Sequence, residues 1–279
     1  MTWVSRVAQV LREDRIALIS FSVIVFLLLV SLFLPLLPIG QPDEVGYGPR
    51  IGAPSWAALF GTDHLGRPVL ARLVQGLQMT FLLSTVAVLI SGLLGAIVGV
   101  ATTYLHPFAD ESANRIADVM FSFPPILLGI LVVAVRGPGI VTIMFVISLI
   151  TFPTMLRVVR ATTLDVMRRD FIVVSEIAGT SVIKRLLIHF TPNVAETIAV
   201  QMVYSISIGM LVESGMSFLY IGVQAPTASL GALLRDGVSY IAVAPWLIFI
   251  PGIAISALIL STNLLGDGLR RLVDPVDRV

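Results

Sequence analysis

The side chains that could carry out chemistry are few and lie far apart in this chain of 279 residues. The chain contains no cysteine, which excludes disulfides, thiolate metal sites and a cysteine nucleophile. The three histidines, His64, His106 and His189, lie in three different segments and cannot form a metal site with HExxH spacing. No GxSxG motif is present to indicate a serine hydrolase. We therefore predict neither a catalytic residue nor a metal ligand.

The sequence also lacks the signals of nucleotide and nucleic-acid binding. Lys184 is the only lysine and follows Ile183 rather than glycine, so there is no GxxxxGK[ST] phosphate loop. The glycines of residues 92–99 (GLLGAIVG) lack the strand and helix context of a dinucleotide site and favour close helix packing instead. A formal net charge of +1 gives no clustered basic face. We expect no cofactor bound by this chain and no nucleic-acid partner.

The composition indicates a membrane protein. Apolar residues make up 57% of the chain, charged residues only 13%, and the mean hydropathy is +0.98, whereas soluble domains carry about 25% charged residues. A helix crosses a bilayer with about 17–25 mainly apolar residues. The candidate stretches are 16–38, 79–105, 119–135, 137–156, 194–212 and 242–265. The predicted fold is an all-α polytopic membrane protein with six transmembrane helices.

The charged segments between these stretches divide the chain. The predicted parts are a cytoplasmic N-terminus (1–15), a first transmembrane helix (16–38), an extracytoplasmic loop (39–78) and a core (79–279) with five transmembrane helices. Most of the 18 Lys and Arg residues then lie on the cytoplasmic side, which favours two cytoplasmic termini. In the outer loop, Pro68 is suited to the first turn of a helix that leads straight into the second span.

Polar residues of the fifth stretch are candidates for a transport path. Thr197, Gln201, Ser205 and Gly209 recur every four residues and form a stripe along a helix. Such a stripe either lines an aqueous path or makes interhelical hydrogen bonds, and the sequence leaves both interpretations open. Glu213 lies near the end of the stretch, where we expect its carboxylate to reach water.

The cytoplasmic loop 162–193 carries the most informative local pattern. Residues 165–178 are predicted to be helical, Gly179 breaks the helix, and residues 182–190 are helical again until Pro192. Glycine can take the left-handed conformation that ends a helix, and Thr180 or Ser181 can cap the next one. The product is a helix-turn-helix with an amphipathic surface for lipid or for a partner protein. That surface comprises Ile172, Val173 and Ile177, with Arg168, Arg169, Lys184 and Arg185 around them.

This loop resembles the EAA motif of the inner-membrane permease subunits of ABC importers. That motif is a short helix, a glycine, a second helix and then a proline. The segment DFIVVSEIAGTSVIKRLLIHFTPN starts at Asp170, has the motif glycine at Gly179, and closes with His189 and Pro192 at the family's spacing.

The chain departs from the motif at its glutamate. The Glu-Ala-Ala positions hold Val173, Val174 and Ser175, and Glu176 lies three positions later, about 300° round the helix. Three other segments are similar to the C-type subunits of the dipeptide, oligopeptide and nickel permease group. They are FGTDHLGRPVLARLVQG at 60–76, ESGMSFLYIGVQAPTASLGALLRDG at 213–237 and NLLGDGLRRLVDP at 263–275.

The resemblance implies the fold of a type I ABC importer permease and a role in transport rather than catalysis. It implies a multi-pass protein of a prokaryotic inner membrane, in contact with lipid and paired with a homologous second permease. An extracytoplasmic binding protein would deliver the substrate, and two cytoplasmic ATPase domains would bind ATP and Mg. Dipeptides or oligopeptides are the implied substrates. Nickel complexes or other small solutes are the alternatives, and a self-sufficient secondary transporter is the competing class.

The resemblance also implies which residues carry the function. The coupling element would be residues 170–193, with its second part connected directly to the fifth span. The expected ATPase-coupling residues are Asp170, Val173, Val174, Ser175, Glu176, Gly179, Thr180, Lys184, Arg185, His189 and Pro192. The expected residues of the translocation path are Gln201, Ser205 and Glu213.

Overall fold

All regular elements of the described chain are helices. This computed structural model describes residues 3–271; residues 1–2 and 272–279, from the predicted segments 1–15 and 79–279, lie outside the described residues. The helices are α1 (Trp3–Glu13), α2 (Arg15–Phe33), α3 (Val69–Leu105), α4 (Pro107–Phe121), α5 (Pro125–Arg136), α6 (Ile140–Met167), α7 (Asp170–Ile177), α8 (Val182–Arg185), α9 (Thr191–Phe218), α10 (Leu230–Val238) and α11 (Trp246–Arg270). A 3₁₀ turn, Leu34–Leu36, extends α2, and a π-helical segment, Leu186–Phe190, joins α8 to α9.

Five continuous helical stretches are long and apolar enough to cross a bilayer, which confirms the predicted all-α, multi-pass fold. They are Arg15–Leu36, Val69–Leu105, Ile140–Met167, Val182–Phe218 and Trp246–Arg270. The predicted helix that leads into the second span is also confirmed. Pro68 is its N-cap, and α3 then runs unbroken to Leu105.

The third predicted span, 119–135, is not a single helix. α4 ends at Phe121, α5 starts at Pro125, and the two helices are bent by 89°. Pro124 and Pro125 account for the break, because proline has no N–H to donate and its ring clashes with the preceding turn. With 12 residues, α5 is about 18 Å long, which is too short to cross a hydrocarbon core of about 30 Å.

Contacts between α3 and α6 show that these two helices run in the same direction. Ser91 Oγ lies 2.7 Å from Thr151 Oγ1, and further along both helices a Cβ on Gly99 would lie 3.0 Å from the Leu156 carbonyl oxygen. The chain must therefore cross back between the end of α3 and the start of α6. Only α4 and α5 lie in that interval, so the bent pair makes this crossing and completes the six that the sequence predicts.

The remaining long helices alternate in direction. The Thr80 hydroxyl of α3 donates to the Glu213 carboxylate of α9 at 2.8 Å, and Gly92 packs against Met202, so α9 is antiparallel to α3. In turn, α2 starts beside the end of α11, where an ion pair of 2.9 Å joins Asp14 to Arg271. Both ends of the described chain thus lie at one end of the bundle. We call it the coupling end, because it carries α7 and α8, and we call the opposite end the loop end.

Small residues allow α3 to approach its neighbours closely. A Cβ on Gly95 would lie 3.0 Å from the carbonyl oxygen of Phe152, and one on Gly92 would lie 2.8 Å from the sulfur of Met202. The interpretation of residues 92–99 as a packing surface is confirmed.

The loop between α2 and α3 is folded around the buried carboxylate of Asp63. Asp63 accepts hydrogen bonds from the backbone N–H groups of Leu65 (2.9 Å) and Arg67 (3.0 Å), and from Arg67 Nε at 2.7 Å. Arg72 of α3 brings its Nε within 3.5 Å of the same carboxylate. These contacts fix the loop between α2 and α3 onto the start of α3.

Candidate functional site

The coupling end presents a helix-turn-helix whose first helix is α7. The prediction of one helix over 165–178 is wrong, because α6 ends at Met167 and α7 starts only at Asp170. The break turns α7 so that Ile172, 3% exposed, packs into a cluster with Val159 and Phe190. Ile172 therefore belongs to the core and not, as expected, to the exposed amphipathic surface.

The turn after α7 has the geometry that the sequence predicts. Gly179 adopts φ +73°, and its N–H donates to the Glu176 carbonyl at 3.0 Å while the Thr180 N–H donates to the Ser175 carbonyl at 3.1 Å. This pair of bonds is the Schellman arrangement, in which a left-handed residue ends the helix. Ser181 occupies the N-cap position of α8, but its side chain makes no capping hydrogen bond. The predicted glycine break is confirmed.

The second helix of the motif continues without interruption into the bundle. The expectation that it ends at Pro192 is wrong, since the helical stretch runs from Val182 to Phe218. Proline is tolerated there because it lies in the first turn of α9, directly after the π-helical segment. Two side chains bond to carbonyls of that segment: the Thr191 hydroxyl donates to Leu186 at 2.9 Å, and the Asn193 amide donates to His189 at 2.6 Å.

Arg185 ties the two helices of the motif to the bundle. It is 7% exposed and forms an ion pair of 3.1 Å with Glu176, without the alignment of a hydrogen bond. Its guanidinium lies 5.6 Å from the centre of the Tyr104 ring at the end of α3. The Tyr104 ring in turn packs against Phe190 at 4.6 Å. Glu176 thus has a partner within its own chain.

The exposed surface of the motif includes several large apolar side chains. Val174 is 63% exposed and Ile177 is 82% exposed. We call the five exposed residues Val173, Val174, Ile177, Ile183 and Leu187 the coupling face.

The predicted coupling residues divide between that outer side and the interior. Asp170, Val173, Val174, Glu176, Gly179, Lys184 and Pro192 are exposed, and Thr180 and His189 are half-buried. Ser175 and Arg185 are buried against the bundle, so they position the motif and do not lie on its outer surface.

The polar stripe of α9 lies largely inside the chain. Ser205 is buried, and a Cβ on Gly209 would contact Ser84 and Val88 of α3. Half-buried Gln201 donates its side-chain N–H to Ser205 at 3.3 Å. At Ser205 and Gly209 the geometry therefore fits the packing interpretation. The other two residues of the stripe, Thr197 and Gln201, are partly exposed.

Glu213 does not reach water, contrary to the expectation. It is 0% exposed and accepts hydrogen bonds from the hydroxyls of Thr80 (2.8 Å), Ser217 (2.7 Å) and Ser214 (3.2 Å). Its place near a helix end does not expose it, because α10 and the segment before it fold back over this part of α9. Among residues 3–271, no group of three or more metal-ligating side chains is suited to an ion.

Sequence reasoning missed Tyr104, Phe190 and Thr80. A tyrosine at the end of an apolar span is a signal for an interfacial anchor and could have identified Tyr104. Thr80 offered no such signal, because its partner Glu213 lies 133 positions away in the sequence.

Comparison with known proteins shows a family for most of the chain. Residues 91–276 match the family described as the binding-protein-dependent transport system inner membrane component. A dipeptide transport system permease protein of Haemophilus influenzae is 32% identical over 270 residues, which cover 95% of this chain and 92% of the relative. A di/tripeptide permease protein of Pseudomonas aeruginosa is 32% identical, covering 90% and 86%. A glutathione permease protein of Escherichia coli is 32% identical, covering 95% and 88%. The chain belongs to the family of inner-membrane components of binding-protein-dependent transport systems.

Proposed function

We propose that this chain is one permease subunit of an ATP-driven importer and forms, with a homologous second permease, the path for dipeptides or oligopeptides. An extracytoplasmic binding protein delivers the substrate. Three relatives are named for dipeptides, di/tripeptides and glutathione, which is itself a tripeptide. These names support small peptides over nickel complexes or other solutes.

The coupling face is the observation that carries the proposal. The apolar part of α6 ends before Arg157, and residues 157–167 extend the helix about 16 Å further. The interfacial layer of a bilayer is only about 5–8 Å thick on each side. For a helix that runs along the membrane normal, α7 then starts outside this layer, and its exposed valine and isoleucine side chains are suited to a protein partner. Two ATPase domains, which bind ATP and Mg in this proposal, supply that partner for this chain and for the second permease.

The connections of the motif support transmission of force from the ATPases to the membrane. α8 continues into α9 as one helical stretch, Val182–Phe218, and Arg185 links the motif to the end of α3 through Tyr104. A push on the coupling face would therefore move α9 and α3 together. Such rigid coupling suits a rocking motion of the helices between outward and inward states.

The orientation follows from the same assignment. The coupling end faces the cytoplasm of a prokaryote, which places both chain termini there and the loop end outside the inner membrane. The excess of Lys and Arg on the coupling side supports this orientation. Lipid covers α2, which exposes large apolar side chains such as Phe26, Leu29 and Leu32. Of the three residues expected to line the translocation path, Gln201 is the one that is partly exposed.

Affinity purification from membranes tests the proposal. The tagged chain, isolated in mild detergent, is expected to bring down a second permease and ATPase subunits, and the reconstituted complex should hydrolyse ATP faster when binding protein and peptide are added. Isolation of the chain alone, with peptide transport that does not need ATP, would contradict the proposal and favour a secondary transporter.

A pair of variants tests the role of the coupling face. Ile177→Asp places a charge on the coupling face and is expected to abolish co-purification of the ATPases. Val45→Asp, at a comparably exposed residue of the loop end (65% exposed), should retain them. Equal recovery of ATPase with both variants would exclude the coupling face as the docking surface.

A further inference from the structure

The loop between α2 and α3 packs against the ends of three helices. The N–H of Val69, the first residue of α3, donates to the Gly61 carbonyl at 3.1 Å. A Cβ on Gly61 would lie 3.0 Å from Nε1 of Trp246, the first residue of α11. A Cβ on Gly40, shortly after the end of α2, would lie 2.9 Å from the ring of Pro68, the N-cap of α3. The loop is therefore level with these helix ends.

This level is where the hydrocarbon core gives way to lipid headgroups. The apolar stretch 16–38 ends beside the loop, and the apolar stretch 242–265 starts there, just before Trp246. Arg72 of α3 lies near the same level, but it is 2% exposed and so faces the interior of the chain. The interfacial layer of a bilayer is about 5–8 Å thick on each side. Residues beside Pro38 and Trp246 therefore lie at headgroup depth.

One part of the loop, residues 51–62, is uncharged and exposes large apolar side chains. Its sequence is IGAPSWAALFGT, and the nearest charged residues are Arg50 and Asp63. Trp56 is 98% exposed, and Leu59 is 53% exposed. Side chains of this kind gain free energy when they are removed from water. The segment is therefore suited to an apolar or interfacial environment.

Trp56 lies beside the end of α2. It lines a cleft of about 90 Å³ together with Pro38 and Ile39. Leu36 and Leu37, which directly precede this cleft in the sequence, are 78% and 57% exposed. The apolar surface around Trp56 thus continues the surface that α2 presents to lipid.

We propose that residues 54–59 anchor the loop in the membrane, with the Trp56 ring among the lipid headgroups beside α2. Tryptophan is suited to this depth, because its ring is apolar while its N–H can donate to headgroup oxygens or water. The irregular backbone is tolerated there, since headgroups and water can hydrogen-bond it, which acyl chains cannot. This contact goes beyond the proposed function and requires neither the ATPases nor a peptide.

Spin-label accessibility tests the anchor. Because the chain has no native cysteine, Leu59→Cys can carry a nitroxide in a complex of otherwise cysteine-free subunits in proteoliposomes, with Trp56 retained. Leu32→Cys on α2 is the lipid reference, and Val45→Cys, next to Glu44, is the water reference. Their native side chains are 64% and 65% exposed. Oxygen concentrates in lipid and a nickel chelate stays in water, so the ratio of oxygen to nickel collisions at residue 59 should lie between the two references.

The role of the tryptophan is tested in the same background. Adding Trp56→Ser to Leu59→Cys should lower the collision ratio at residue 59 towards that of the water reference, whereas Trp56→Phe should lower it less. A loss of packing inside the chain does not explain such a change, because the Trp56 side chain is almost fully exposed.

Three results would overturn the inference. One is a collision ratio at residue 59 equal to that at residue 45. Another is nickel access at residue 59 that is as high as at residue 45 and falls only when the binding protein is added, because the segment would then be a protein-docking surface. The third is an unchanged ratio in the Trp56→Ser variant, which would show that Trp56 does not hold the loop in the membrane.

Discussion

At the scale of single residues, Glu213 organises the loop end through hydroxyl groups. The Thr80 hydroxyl that donates to the Glu213 carboxylate also accepts the backbone N–H of Leu230 at 3.1 Å. The Ser217 hydroxyl that donates to it accepts the N–H of Val223 at 3.0 Å. A carboxylate only accepts hydrogen bonds, so it fixes both hydroxyls as donors and leaves their lone pairs for the backbone. Glu213 thereby holds the segment 223–230 onto α3 and α9.

Replacement of Glu213 should destabilise the protein. In Glu213→Leu the hydroxyls of Thr80, Ser214 and Ser217 lose their acceptor, and each buried polar group left unpaired costs about 1–3 kcal/mol. We expect a thermal unfolding midpoint several degrees lower in detergent, with a smaller loss in Glu213→Gln, which keeps one acceptor. Glu111→Gln is the control, because Glu111 forms only an exposed ion pair with Arg115. A midpoint equal to that of the control would show that the carboxylate does not organise the loop end.

At the scale of elements, the helix-turn-helix is held by a glycine turn and by an ion pair between its two helices. Gly179 sets the angle between α7 and α8, and Glu176 and Arg185 lie on the two sides of that turn within 3.1 Å of each other. The glutamate position of the EAA motif holds Val173 in this chain. The ion pair between Glu176 and Arg185 joins the two helices of the motif within one chain.

Substitution of Gly179 should uncouple ATP hydrolysis from transport. No heavy atom lies within 4 Å of a Cβ built on this residue, so the effect of Gly179→Val is the cost of the left-handed backbone, about 1–2 kcal/mol and highest for β-branched residues. We expect weaker stimulation of ATPase activity by binding protein and peptide in proteoliposomes. Gly179→Asn is the matched control, because asparagine tolerates this conformation. Full stimulation in the valine variant, with normal assembly, would show that the turn is not required.

At the scale of the whole molecule, the parallel arrangement of α3 and α6 determines how often the chain crosses the membrane. Counting long apolar helices gives five, an odd number that would place the termini on opposite sides. The bent pair of α4 and α5 adds the crossing that lets α6 start at the loop end.

The positions of the two chain ends test this topology. We expect green fluorescent protein to fluoresce when fused to either end, since it folds in the cytoplasm and not after export in the unfolded state. A fusion after residue 57, in the outer loop, should stay dark and serves as the negative control. Fluorescence from only one of the two terminal fusions would mean five crossings and would contradict the crossing by α4 and α5.

The sequence by itself determined the features that depend on local chemistry. Charged groups are costly in hydrocarbon, so the uncharged stretches marked the membrane spans, and Gly179 marked the turn because only glycine lacks the Cβ that disfavours a positive φ. The tertiary structure decided what depends on neighbours distant in sequence. Glu213 is enclosed because α3 and the segment before α10 meet around it, and Glu176 faces Arg185 because the turn folds α8 back. The third span shows the same division: its uncharged residues marked one span over 119–135, and only the structure shows that α4 and α5 meet there at an angle of 89°.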